Sequence, residues 1–194
     1  MLSESNTDGA VQRVPPMSGE GDICGAGPIW RPNTEETPMA DEYLTLTLDT
    51  GNGGGGDVKI KLRPDLAPGH VERIKELVSE GFYDGIKFHR VIPGFMAQGG
   101  CPHGTGTGGS DKPDLKAEFN AEPHVRGAVS MARTSAPHSA NSQFFIVFDD
   151  ATFLDKQYTV WGNVVEGMEF VDALPKGEPP RDPGKIVKAT LSEG

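Results

Sequence analysis

The sequence predicts a mainly β fold, a closed antiparallel barrel capped by two α-helices. Three observations predict it. Apolar and polar residues alternate in many short runs, which is the period of a half-buried strand. Those runs are separated by turns drawn from 26 glycines and 16 prolines. Two longer stretches change to helical spacing. Short strands in this number favour closure, because closure removes the unpaired edges of an antiparallel sheet.

The elements follow in order. Leu44, Leu46 and Leu48 alternate with Thr45 and Thr47, and Val58, Ile60 and Leu62 alternate with lysines. The intervening DTGNGGGGD is a turn, so the two runs form a hairpin. In APGHVERIKELVSEG, Val71, Ile74, Leu77 and Val78 fall on one helical face, and Gly81 can end the helix in a left-handed conformation. Strands are expected at 87–92, 95–98, 128–132, 143–148 and 159–164. A short helix near 167–174 and a last strand at 185–191 complete the pattern. No internal repeat is visible.

Residues 1–38 are different. They hold five prolines, scattered glycines and no periodic apolar pattern, and their charges sum to −4 of the chain's −10. Such a segment cannot bury enough apolar surface to order itself, so a disordered acidic tail is expected, followed by one domain over 39–194. It lacks a basic start and an apolar core, so it is not a secretory signal. Met39 opens MADEYLTLTL, and the tail reads as an upstream-start extension. The acidic balance argues against nucleic-acid or anionic-membrane binding, which needs basic patches. Cys24 and Cys101 make no disulfide framework, and no apolar run approaches the roughly 20 residues of a membrane span. A cytoplasmic protein, monomeric, is expected.

Several motifs are discounted. GNGGGG and GTGTGG both match G-x-G-x-x-G, but neither leads from a strand into a helix, as a dinucleotide cradle requires. The five histidines show no zinc spacing, and Cys101-Pro-His103 alone is a poor metal site. No metal and no cofactor are expected. A Ser-His-Asp hydrolase would lack the G-x-S-x-G elbow and its alternating βα pattern.

FHRVIPGFMAQGG, residues 88–100, is the candidate for chemistry, and from periodicity alone two readings stand level: a functional site, or an Arg90 paired with a surface carboxylate over aromatics that fill the core. It sets Arg90, His89 and Gln98 among apolar residues and contains no nucleophile or carboxylate. Read as a strand, Phe88 and Arg90 share one face and His89 and Val91 the other. Pro93-Gly94 breaks the strand. Beyond it Met96 and Gln98 share a face, and Phe95 needs a local twist to join them. In SQFFIVF, Gln143 and Phe145 share a face opposite Phe144 and Ile146.

FHRVIPGFMAQGG, GTGTGG, SMART…PHSANSQFFI and FLDKQYTVWGNVVEGME together resemble the cyclophilin family of peptidyl-prolyl cis-trans isomerases, most of all its short bacterial cytosolic members. The resemblance covers residues 41–191. It implies an eight-stranded barrel with its active groove on the outer surface. It implies that Arg90 is the catalytic arginine. Phe95, Met96, Phe145 and Leu154 would wall a proline pocket. Gln98 and Gln143 would lie near the substrate backbone, Ala132 and Arg133 would line the groove before the proline, and Tyr158 would close the pocket. His89 would support the site from behind. Phe153 stands where well-known eukaryotic members have a tryptophan that donates to cyclosporin, so weak cyclosporin binding is expected. Tyr158 and Arg133 also depart from that pattern, replacing histidine and asparagine. The implied partners are proline-containing polypeptides and folding clients. The alternative is a proline-peptide-binding chaperone or scaffold with little turnover.

Overall fold

The computed structural model describes residues 40–194, so the expected tail over 1–38 lies outside the described residues. Strands β1 (Glu42–Asp49) and β2 (Gly55–Leu62) form the expected hairpin, with Leu44 opposite Ile60 and Leu46 opposite Val58. All four side chains are buried, because alternation turns one face of the hairpin to the core. Helix α1 (Pro68–Ser79) begins at a proline, whose fixed φ suits a first helical position. Its cap comes from far away: the Glu118 carboxylate accepts the backbone N–H groups of Gly69 and His70. Val71, Ile74, Leu77 and Val78 are buried, and Gly81 has φ 69° just past the end.

The remaining strands are β3 (Arg90–Ile92), β4 (Met96–Gly99), β5 (Ala128–Met131), β6 (Phe144–Val147), β7 (Thr159–Glu166) and β8 (Lys185–Glu193). Helix α2 (Met168–Asp172) lies between the last two, and an unexpected 3₁₀ turn spans Thr152–Leu154. Most observed strands lie within a residue or two of the expected ones. β3 is three residues shorter, since only Arg90–Ile92 pairs with β4.

The sheet order is β3-β4-β6-β5-β7-β2-β1-β8, with every ladder antiparallel. The expected closed barrel is corrected here: β3 and β8 are edges with no ladder between them, and the sheet is an open half-barrel. The segment before β3 meets the start of β8 at the gap through an isolated bridge, Lys87 to Lys185, and a few backbone bonds: Phe88 N–H donates to Gly184, Gly85 N–H to Ile186, and Ile186 N–H to Ile86. The free edge of β3 is taken instead by the turn before β8, where Val91 and Gly177 exchange backbone hydrogen bonds at 2.8 Å each. That turn contains Pro179, Pro180 and Pro183, which have no N–H for a ladder.

The concave face holds the main core. Phe144 sits edge-on to Tyr83, Phe88 and Trp161, with ring centroids 5.6, 6.4 and 5.9 Å away. Such T-shaped contacts suit the ring quadrupoles. Phe88 therefore does not share a face with Arg90, contrary to the alternation expected across 88–92. The residues before Arg90 lie outside β3, so the two-residue period does not run through them. A second apolar cluster lies on the opposite face, built on Met96, Phe145, Val147 and Leu154, with Phe95 and Tyr158 packed against it.

Candidate active site

Strand register assembles the site. Arg90 lies opposite Gln98, Gln98 opposite Phe145, and Phe145 opposite Ser130. Residues directly opposite in antiparallel pairs project to the same side. One row thus crosses four strands and brings an arginine, an amide and an aromatic ring to the outer face. Ile92 lies opposite Met96 in the next row. Phe95 belongs to the Pro93-Gly94 turn and not to β4, so it joins Met96 without breaking the alternation of the strand.

These side chains surround a cavity of about 180 Å³ lined by Arg90, Phe95, Met96, Gln98, Ala132, Arg133, Phe145, Leu154 and Tyr158. All nine were singled out from sequence. The other two fall beside it. Gln143 lines a neighbouring hollow, where its amide donates to the carbonyls of Gly106 and Gly108 and accepts from Gln98 at 3.0 Å. It ties the glycine-rich loop to the floor, which gives GTGTGG a structural use. Phe153 is on the 3₁₀ turn, 65% exposed, with its ring 5.6 Å from that of Phe95. It forms a rim and not part of the lining.

Arg133 is held by its side chain. Its guanidinium stands 4.8 Å from the centre of the Tyr158 ring and donates to the carbonyls of Gln157 and Thr134. Tyr158 in turn meets Phe145 edge-on, centroids 5.5 Å apart. The Ala132 N–H donates to the Gln143 carbonyl, joining the two sides of the groove. His89, the residue before Arg90, is buried; burial lowers its pKa, and the charge of Arg90 adds to that.

Two features were missed. The first is a buried chain of polar contacts under Phe145. His124 Nδ1 lies 2.9 Å from Asp155, which also accepts the His124 backbone N–H, and His124 Nε2 lies 3.1 Å from Ser130 Oγ. Those two bonds, backbone first, hold the Asp155 carboxyl below its usual range. The order Asp-His-Ser has the connectivity of a hydrolase triad. Ser130 and His124 are both 0% exposed, however, so no substrate carbonyl reaches the hydroxyl. No sequence signal joins these residues, because 124, 130 and 155 come from a loop, a strand and a turn. The second is which carboxylate pairs with Arg90: Glu178, at Nε. Among the described residues no group of three metal-ligating side chains occurs, and Cys101 is buried, accepting from the Gly108 N–H.

An apolar hollow beside a permanent cation, with no accessible nucleophile, suits a protein that turns a bond and does not break one. The chain belongs to the cyclophilin-type peptidyl-prolyl cis-trans isomerases: the model of that family, cyclophilin type peptidyl-prolyl cis-trans isomerase/CLD, matches residues 45–191. It is 57% identical over 168 residues to a probable peptidyl-prolyl cis-trans isomerase of Brucella suis, covering 78% of this chain and 84% of that one. It is 46% identical over 126 residues to peptidyl-prolyl cis-trans isomerase B of Bacillus subtilis, covering 64% and 87%. Among solved structures it resembles a cyclophilin of Hirschia baltica (TM-score 0.69, 32% identity, 77% and 73% covered). It also resembles a Cryptosporidium parvum cyclophilin-type isomerase determined in the presence of the dipeptide Ala-Pro (TM-score 0.71, 28% identity, 78% and 99% covered).

Proposed function

We propose that this isomerase seats the proline ring of an X-Pro segment in the cavity walled by Phe95, Met96, Phe145 and Leu154, and turns the amide beside Arg90. Twisting an amide loses its resonance, at about 18–20 kcal/mol, and leaves the proline nitrogen pyramidal with a lone pair. A guanidinium N–H can donate to that lone pair, which exists only in the twisted state, so the contact favours the transition state over either ground state. Arginine suits the role because it is permanently charged and planar. No bond breaks, so no nucleophile, metal or organic cofactor enters. Bringing an exchange of ~100 s to ~1 ms needs about 7 kcal/mol, within reach of one charge-assisted bond plus ring fixation.

Gln98 and Gln143 hold the substrate backbone, Ala132 and Arg133 line the groove before the proline, and Tyr158 closes the pocket. Phe153 extends the apolar rim. The substrates are proline-containing segments of unfolded or folding proteins, and the enzyme acts as a monomer in the cytoplasm. Among the described residues no helix is long and apolar enough to cross a membrane. The observation that carries the mechanism is the single cross-strand row Arg90–Gln98–Phe145, which puts cation, amide and apolar floor on one face. It is tested by coupled prolyl-peptide isomerisation on the purified chain and on Arg90→Ala. A binding module with little turnover would hold peptide but show no such rate.

A further inference from the structure

Glu178 has no part in the mechanism above, yet it is the residue that holds its cation. Arg90 Nε–H donates to a carboxylate oxygen of Glu178 across 88 positions of sequence. Among the described residues neither Nη group of Arg90 has a side-chain or backbone partner. The guanidinium is planar, so gripping the Nε edge sets the plane of the whole fork and leaves both Nη groups free. Arg90 also lines the cavity, where such free donors are wanted.

The main chain presents Glu178 at that place independently of the ion pair. Its neighbour Gly177 exchanges backbone hydrogen bonds with Val91, the residue after Arg90. Gly177 has φ 149°, and a Cβ there would lie 2.8 Å from Pro180 Cα and 2.9 Å from the Pro179 carbonyl oxygen. The turn therefore requires glycine, and Pro179 and Pro180 stiffen it. Glu178 is thus carried on a rigid turn clamped to β3 itself.

Stability does not account for this arrangement. The two side chains are 43% and 53% exposed, and exposed ion pairs contribute little to folding. Orientation does account for it. A free arginine side chain spreads over many rotamers, and ordering it during the reaction would slow turnover. We propose that Glu178 is a positioning residue: it fixes the Arg90 guanidinium in the free enzyme so that its fork already faces the proline nitrogen. The inference rests on the assignment of Arg90 as the reacting cation.

The test is a double-mutant cycle on the full-length chain. Glu178→Ala, Glu178→Gln and Arg90→Ala are made singly, and Glu178→Ala is combined with Arg90→Ala. Isomerisation of a prolyl tetrapeptide is followed by NMR exchange, which separates kcat from KM, and each variant is melted. Glu178→Ala should lower kcat on the order of tenfold, as expected for a loosened catalytic group. KM and melting temperature should barely move. Glu178→Gln keeps an oxygen acceptor and should recover most of the loss. In the Arg90→Ala background, Glu178→Ala should have no further effect. Equal losses in both backgrounds would overturn the proposal, because Glu178 would then act independently of Arg90. A normal or raised kcat in both Glu178 variants would also overturn it. Should Arg90→Ala keep full activity, the assignment of Arg90 falls first. Should Arg90→Ala be impaired and Glu178→Ala not, only the positioning role falls.

Discussion

The imidazole of His124 lies flat beneath Phe145, with ring centroids 6.1 Å apart and planes 19° from parallel. The floor of the proposed proline pocket is therefore held from below by a fully buried, hydrogen-bonded histidine. Ser130→Ala removes the hydroxyl that pairs with His124 Nε2 and leaves a buried polar atom unpaired. We expect a loss of about 1–3 kcal/mol in stability by urea unfolding, the usual penalty for such a group. No esterase activity should be lost, since none should exist. Measurable ester hydrolysis that disappears in Ser130→Ala would show that the Ser-His-Asp chain reaches solvent.

Arg90→Ala should lower kcat/KM for prolyl peptides by about 10²–10³, in line with losing one preorganised donor. Peptide affinity should fall much less, because Phe95, Met96 and Phe145 remain. Arg90→Lys keeps a charge without the planar fork and should also be impaired. Isomerisation kinetics and peptide titration on the same folded variants decide the matter. Losses of equal size in binding and turnover would make Arg90 a uniform binding contact.

Cyclosporin should inhibit weakly. Phe153 packs against Phe95 at the rim but offers no hydrogen-bond donor. Phe153→Trp should tighten inhibition by about 1–3 kcal/mol, the range for regaining a polar partner. Nanomolar inhibition of the unaltered protein would contradict this expectation.

Acid should destabilise the fold in two stages. Burial holds the His70 and His89 pKa values below the ordinary 6.5, so the unfolded chain takes up protons there before the folded one does. Stability is thus present above about pH 6.5 and begins to fall below it. Burial raises the Glu118 pKa, but its bonds to His70 and to the α1 backbone outweigh this and leave it lowered. Asp155 is lowered as well, so a second loss begins below about pH 4. Melting curves from pH 8 to 3 measure both stages. His70→Gln, which does not titrate, should flatten the first stage, and an unchanged slope there would remove His70 as its source.

A chain beginning at Met39 should match the full chain in activity and melting temperature. A difference of more than about 4–8 °C, roughly a kcal/mol for a small domain, would mean that residues 1–38 contribute to the fold.

Local pattern carried much of this protein. Alternation in Leu44–Leu46–Leu48 and the helical spacing of Val71, Ile74 and Leu77 report which side faces the core, because burial acts on each residue through its immediate neighbours in the chain. Arg90, Gln98 and Phe145 were legible because their unusual mixture of polar and apolar types sits in long, specific motifs. Other features could not be read that way. Closure failed because β3 pairs over only three residues and a proline-rich turn takes its free edge, and neither depends on the composition of β3. Phe88 turned inward because the strand period begins only at Arg90. The His124–Asp155–Ser130 chain and the Arg90–Glu178 pair join residues brought together by sheet register and turn geometry. Such contacts depend on where distant backbones meet in space, and that follows from the packing of the whole core and not from any local stretch.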